Sequence, residues 1–131
     1  MKLSWLLLAI TPALCAEAGD FCEDPITTVE INQCGQSAFL AADKKMNVAY
    51  QAALHRVSSD LQNKQQQDEI RRKLIDAQRL WVKFRDIDCG AVYDLWRYGA
   101  KAEIRDSMYQ SCLFERTEQR TKELEYFGLQ G

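Results

Sequence analysis

The chain has 131 residues and a formal net charge of -2, with 47% hydrophobic and 27% charged residues. That length favours one domain, and the near-neutral balance offers no basic face for a nucleic acid. Charges interrupt every apolar stretch, so no segment reaches the roughly 20 residues a membrane-spanning helix needs.

Residues 1–18 read as a secretory signal: Lys2, an apolar run from Leu3 to Ile10, then small residues with Ala16-Glu17-Ala18 as an A-x-A cleavage site. Cleavage leaves residues 19–131 as one domain, in the periplasm or outside the cell. It also removes Cys15, so that four cysteines remain: Cys22, Cys34, Cys89 and Cys112. Lipid anchoring through Cys15 is disfavoured, because Leu14 stands where a lipobox wants a small residue. An even cysteine count in an exported chain of this size predicts a two-disulfide framework.

Beyond Pro25 the chain is rich in Ala, Leu, Gln, Glu, Lys and Arg, without period-2 alternation, and it reads as all-α. The first helix starts at Thr27, where Thr27-Thr28-Val29-Glu30 fits a capping box, and ends near Ser59–Leu61. Its apolar face carries Phe39, Ala42, Met46, Ala49, Tyr50, Ala53, Val57 and Leu61. The polar, Gln-rich stretch from Ser58 to Gln67 is read as a turn. The second helix runs from Asp68 to Trp96, with Ile70, Leu74, Ala77, Trp81, Phe84 and Ile87 as its apolar stripe. Tyr98-Gly99-Ala100-Lys101 ends it, with Gly99 placed for a C-terminal cap. The third helix spans Ala102 to Phe127 and carries Ile104, Met108, Leu113, Leu124 and Phe127; residues 128–131 fray. The expected fold is a small antiparallel bundle of three long helices stapled by two disulfides.

Four cysteines allow three pairings. Cys89 and Cys112 are nearly equidistant from Ala100, so an antiparallel hairpin of the second and third helices sets them face to face. The arm carrying Cys22 need only fold back to reach Cys34. The expected bonds are Cys22–Cys34 and Cys89–Cys112. The close C-x2-C pairs of a zinc site, or of a redox pair, do not occur among these four. No hydrolase, metalloprotease or phosphate-loop motif appears, and His55 has no acid or nucleophile at a helical spacing, so neither a cofactor nor a catalytic residue is expected.

Asp43, Asn47 and Tyr50 share one helix face, and Gln78, Trp81 and Arg85 share another. The favoured reading is an interhelix network: Asp43 paired with Arg85, Asn47 and Gln78 bonding to backbone or to each other, and Arg120 joining from the third helix. The competing reading makes the same residues a binding face. A second candidate contact is the tip between the second and third helices, where Tyr93, Trp96, Arg97 and Tyr98 gather. Asp86, Asp88 and Asp94 lie near it and would oppose a basic partner.

The segments Asp43-x-x-x-Asn47-x-x-Tyr50 and Gln78-Arg79-x-Trp81-x-x-Phe84-Arg85-x-x-x-Cys89, followed by Cys112, Thr117, Arg120 and Leu124, resemble the LprI N-terminal domain family. That group of exported proteins is named after a lysozyme inhibitor lipoprotein. The resemblance runs from Cys22 to about Leu124 and implies a small disulfide-linked helical domain outside the cytoplasm. It also implies a protein partner, lysozyme, and inhibition of it by contact; the alternative expectation is a structural or interaction module of the cell envelope with no lysozyme target.

Overall fold

A computed structural model describes residues 22–61 and 63–129. The expected signal segment, its cleavage site and Cys15 lie outside the described residues, as do Gln130 and Gly131.

Three helices make up the fold, and there is no strand among the described residues: α1 (Thr28–Asp60), α2 (Lys64–Arg97) and α3 (Arg105–Glu125), with a 3-10 turn at Ala102–Ile104 before α3. Thr27 caps α1. The Glu30 amide donates to the Thr27 hydroxyl at 3.2 Å, while the Glu30 carboxylate accepts the Thr27 amide at 2.9 Å and the Ile26 amide at 3.0 Å. These bonds hold the Glu30 carboxyl below its ordinary pKa, the Thr27 amide contributing most.

The break falls inside the expected stretch from Ser58 to Gln67, with α1 ending inside the expected Ser59–Leu61; the start of α2 is corrected from Asp68 to Lys64. Helix continues to Asp60 and resumes at Lys64, because Asn63 caps α2 by accepting the Gln66 amide at 3.1 Å. The Gln67 side chain then closes the joint by donating to the Ser58 carbonyl (3.3 Å) and the Leu61 carbonyl. Two further boundaries differ. Gly99 does not take a left-handed cap conformation, as Gly128 is the one described glycine with positive φ (76°). The third helix ends at Glu125 instead of Phe127, and Gly128 and Leu129 follow in a turn, with the Leu129 amide donating to the Tyr126 carbonyl at 3.1 Å.

The helices run up, down and up, so α1 and α3 are parallel. Most of the packing lies between α1 and α3, less between α2 and α3, and little between α1 and α2. The apolar core fills the end nearest residues 61–63, with Met46, Ala49, Ala53, Leu54, Val57, Leu74 and Leu124 all buried. Toward the other end, α3 contributes Thr117 and Thr121, both almost inaccessible, in series with Leu113 and Leu124. The disulfides form as expected: Cys22–Cys34 at the start of α1 (Cα–Cα 5.3 Å) and Cys89–Cys112 across α2 and α3 (5.6 Å).

The expected α2 stripe is half wrong. Leu74 is buried and Ile70 and Trp81 pack against the core, but Phe84 is 55% and Ile87 63% exposed, and Ala77 is exposed too. The series from Ile70 to Ile87 averages about 3.4 residues per step, while the helix turns every 3.6, so it slides around the helix. The face that does turn inward carries Leu74, Gln78, Arg85 and Cys89.

Candidate functional site

Arg85 is the centre of the motif residues. It sits on the inner face of α2 with only 7% of its side chain exposed. Its guanidinium donates to Asp43 Oδ1 on α1 (3.0 Å), Thr117 Oγ1 on α3 (3.2 Å) and Asp86 Oδ1 (2.9 Å). One side chain therefore bridges all three helices. Burying a guanidinium without such partners would cost several kcal/mol. Asn47 donates to the other oxygen of Asp43 at 3.2 Å and orients that carboxylate.

A second arginine layer lies one to two turns along the bundle. Arg120 Nε donates to Gln78 Oε1 at 3.0 Å, and the Gln78 amide nitrogen reaches Met46 Sδ at 3.6 Å. Between the layers lies Trp81, with the Arg85 and Arg120 guanidinium carbons 5.3 and 5.8 Å from its ring centre. Phe39 meets Arg85 at 5.1 Å. These are cation–π distances.

Six of the seven motif residues are thus brought together: Asp43, Asn47, Gln78, Trp81, Arg85 and Arg120. Tyr50 is not among them and packs on the apolar core. The expectation that Asn47 and Gln78 bond to each other or to backbone is corrected, since each meets a side chain of another residue. Thr117, named in the family pattern, was not expected in the network, which it joins through Arg85. Its spacing from Leu113 and Thr121, four residues each way, places it on the buried face of α3, although threonine reads as polar.

The tip is divided. Tyr93 faces α3, where its hydroxyl accepts from Arg105 Nε at 3.0 Å and its ring stacks edge-on to Tyr109 at 5.9 Å. That hydrogen bond raises the Arg105 pKa. Tyr93 is therefore a packing residue. Trp96 is half-buried, while Arg97 and Tyr98 are exposed, with the guanidinium 5.3 Å from the Tyr98 ring centre. Leu95, Trp96, Gly99, Ala100 and Lys101 line a shallow depression with almost wholly apolar walls. Of the three carboxylates near the tip, Asp86 is taken up by Arg85, and Asp88 by Arg116 at 2.8 Å. Asp94 alone has no ion pair among the described residues, which narrows the acidic surface expected there.

Two arginine layers with satisfied donors are suited to holding three helices in register, and the exposed tip is suited to contact. Residues 22–124 match the family described as lysozyme inhibitor LprI. An uncharacterized protein of Rhizobium meliloti (strain 1021) is 29% identical over 127 residues, covering 93% of this chain and 88% of its own length. No solved structure matches. The family match takes in all three helices to within a residue of the end of α3, both disulfides and both arginine layers, and the chain belongs to the lysozyme inhibitor LprI family.

Proposed function

We propose that the protein is exported and inhibits a lysozyme-type muramidase by protein–protein contact, without chemistry of its own. The observation that carries this reading is the family match over residues 22–124. The secretory pattern of residues 1–18 and the disulfides support export, and no helix among the described residues is long and apolar enough to cross a membrane.

The contact is assigned to the tip. The arginine network turns inward and spends its donors within the bundle, whereas Leu95 is 72% and Tyr98 77% exposed beside Arg97. Aromatic and arginine side chains with little to lose on binding are favoured anchors at interfaces. An inhibitor that enters an enzyme cleft needs a projecting element, and a helix–turn–helix end supplies one.

The test is a lysozyme-driven cell-wall clearing assay with the oxidised protein. Inhibition near molar equivalence is expected, and Trp96→Ala with Tyr98→Ala should weaken it at least about 30-fold, as two anchors of roughly 1–2 kcal/mol each would. Inhibition unchanged by this pair of substitutions removes the tip as contact. No inhibition of several lysozyme types at molar excess replaces the reading with an interaction module of the cell envelope.

A further inference from the structure

The outer face of α2 carries an apolar strip that nothing in the described structure covers. Leu80, Phe84, Ile87 and Leu95 are 68, 55, 63 and 72% exposed, Ala91 is exposed between them, and Tyr98 closes the row at 77%. At about 100° per residue these six fall within an arc of about 80°. The centre of that arc lies roughly a third of a turn from the buried face. Such a strip is not core residue spilling over. It is a second apolar face, about 27 Å long at 1.5 Å per residue. A solvated face normally carries charge, and contiguous apolar surface of this kind marks contact.

We propose that this strip is where a second copy of the chain docks, α2 against α2, antiparallel about a two-fold axis. The pattern is self-complementary. With residues whose numbers sum to about 178 set opposite each other, Leu80 meets the partner's Tyr98 and Phe84 meets the partner's Leu95. Near the axis the large Ile87 meets the small Ala91 of the partner subunit, so the helices can approach closely. The charges agree with the same register. Lys83 and Asp94 lie on the flank away from α3, and neither has an ion pair among the described residues. Antiparallel pairing sets Lys83 beside the partner's Asp94, and symmetry repeats the pair. On the other flank Asp88 approaches its own copy near the axis, but Arg116 already holds it at 2.8 Å, so two neutralised pairs meet there.

The contact is one helix wide, at the low end of specific interfaces, so the dimer is reversible, with a Kd on the order of 10–100 μM. This does not depend on the muramidase reading. Leu95 and Tyr98 belong to both the strip and the tip, so an enzyme at the tip and a second copy compete there, and the test is run without enzyme.

The test is sedimentation of the oxidised protein from about 5 μM to about 1 mM, with folding monitored by circular dichroism. The wild type should pass from monomer to dimer over this range. Ile87→Glu should stay helical and lose dimer by about a hundredfold. Lys83→Glu should weaken it by about tenfold, and Lys83→Glu with Asp94→Lys in one chain should restore it, because the reversed charges pair again. A wild type monomeric at 1 mM, a dimeric Ile87→Glu protein, or no recovery in the double reversal overturns the proposal.

Discussion

Replacing Asp43 by Ala tests whether the arginine network holds the fold or makes the contact. Breaking a fully buried ion pair costs about 3–5 kcal/mol, because one charge is left without its partner. Here the loss is smaller. The Asp43 side chain is 34% exposed, Asp86 remains 2.9 Å from Arg85, and Thr117 keeps one bond. A loss of about 2 kcal/mol follows, or about 8 °C in Tm for a domain of this size. Arg85→Met removes the charge itself and fills similar volume, so the carboxylate it deserts can turn to water. In the double substitution the two losses should fall short of their sum by at least about 1 kcal/mol, the mark of a direct interaction. Urea unfolding of the four oxidised proteins measures this. Additivity within about 0.3 kcal/mol would refute the coupling. The clearing assay, run well below the unfolding midpoint, adds a second arm. A network that only sets helix register leaves inhibition intact in Asp43→Ala, and its loss at preserved helicity would make these residues the contact face.

Two further outcomes follow from local geometry. The Glu30 carboxyl has its pKa lowered in the folded state by amide hydrogen bonds, so its stabilisation is present above the unfolded value and disappears as pH falls through the folded one. The Thr27 and Ile26 amide resonances should therefore titrate with a midpoint below 4.5, the ordinary value, and cease to do so in Glu30→Gln; a midpoint at or above 4.5 contradicts the capping argument. Two helical glycines should respond with opposite signs. A Cβ on Gly35 would lie 2.9 Å from Gln110 Cβ, so Gly35→Ala should cost about 1–3 kcal/mol. A Cβ on Gly90 meets nothing within 4 Å, so Gly90→Ala should stabilise by about 0.5–1 kcal/mol in urea unfolding. Equal signs would contradict both.

The readings that held rested on local rules, although the Gly99 cap rested on one too and did not form. The capping box at Thr27, the apolar face of α1 and both disulfides follow from spacing alone, because caps, helix faces and hairpins are set by near neighbours. The Asp43–Arg85 pair was also legible, since each stands on a helix face with a complementary charge. Other features depended on which way a helix turns in three dimensions. Phe84 and Ile87 satisfy a helical spacing and yet face outward, because α2 has two apolar faces and only packing selects the inner one. The burial of Thr117 and Thr121 was not legible because their hydroxyls disguise a buried position. Tyr93 looked like its tip neighbours, but its rotation about the helix takes it to Arg105. Asn63 was lost in a polar stretch, where one side-chain oxygen on the Gln66 amide is enough to start a helix.

The parallel packing of α1 on α3 bears on when this chain can fold. A ribosome delivers α1 first and α3 last, and α1 has little contact with α2 in between. Leu74 and Gln78 of α2 give the apolar face of α1 partial cover, and the core is complete only once Leu124 has been made. Arg56, whose guanidinium caps α3 through the Leu124 and Phe127 carbonyls, likewise waits about 70 residues for its partners. Helix made early has only part of its tertiary packing to keep it, and long isolated helices of mixed composition are marginal in water. The core is therefore completed late, when the last helix arrives. Oxidation of Cys89 and Cys112 then locks the completed pair of α2 and α3.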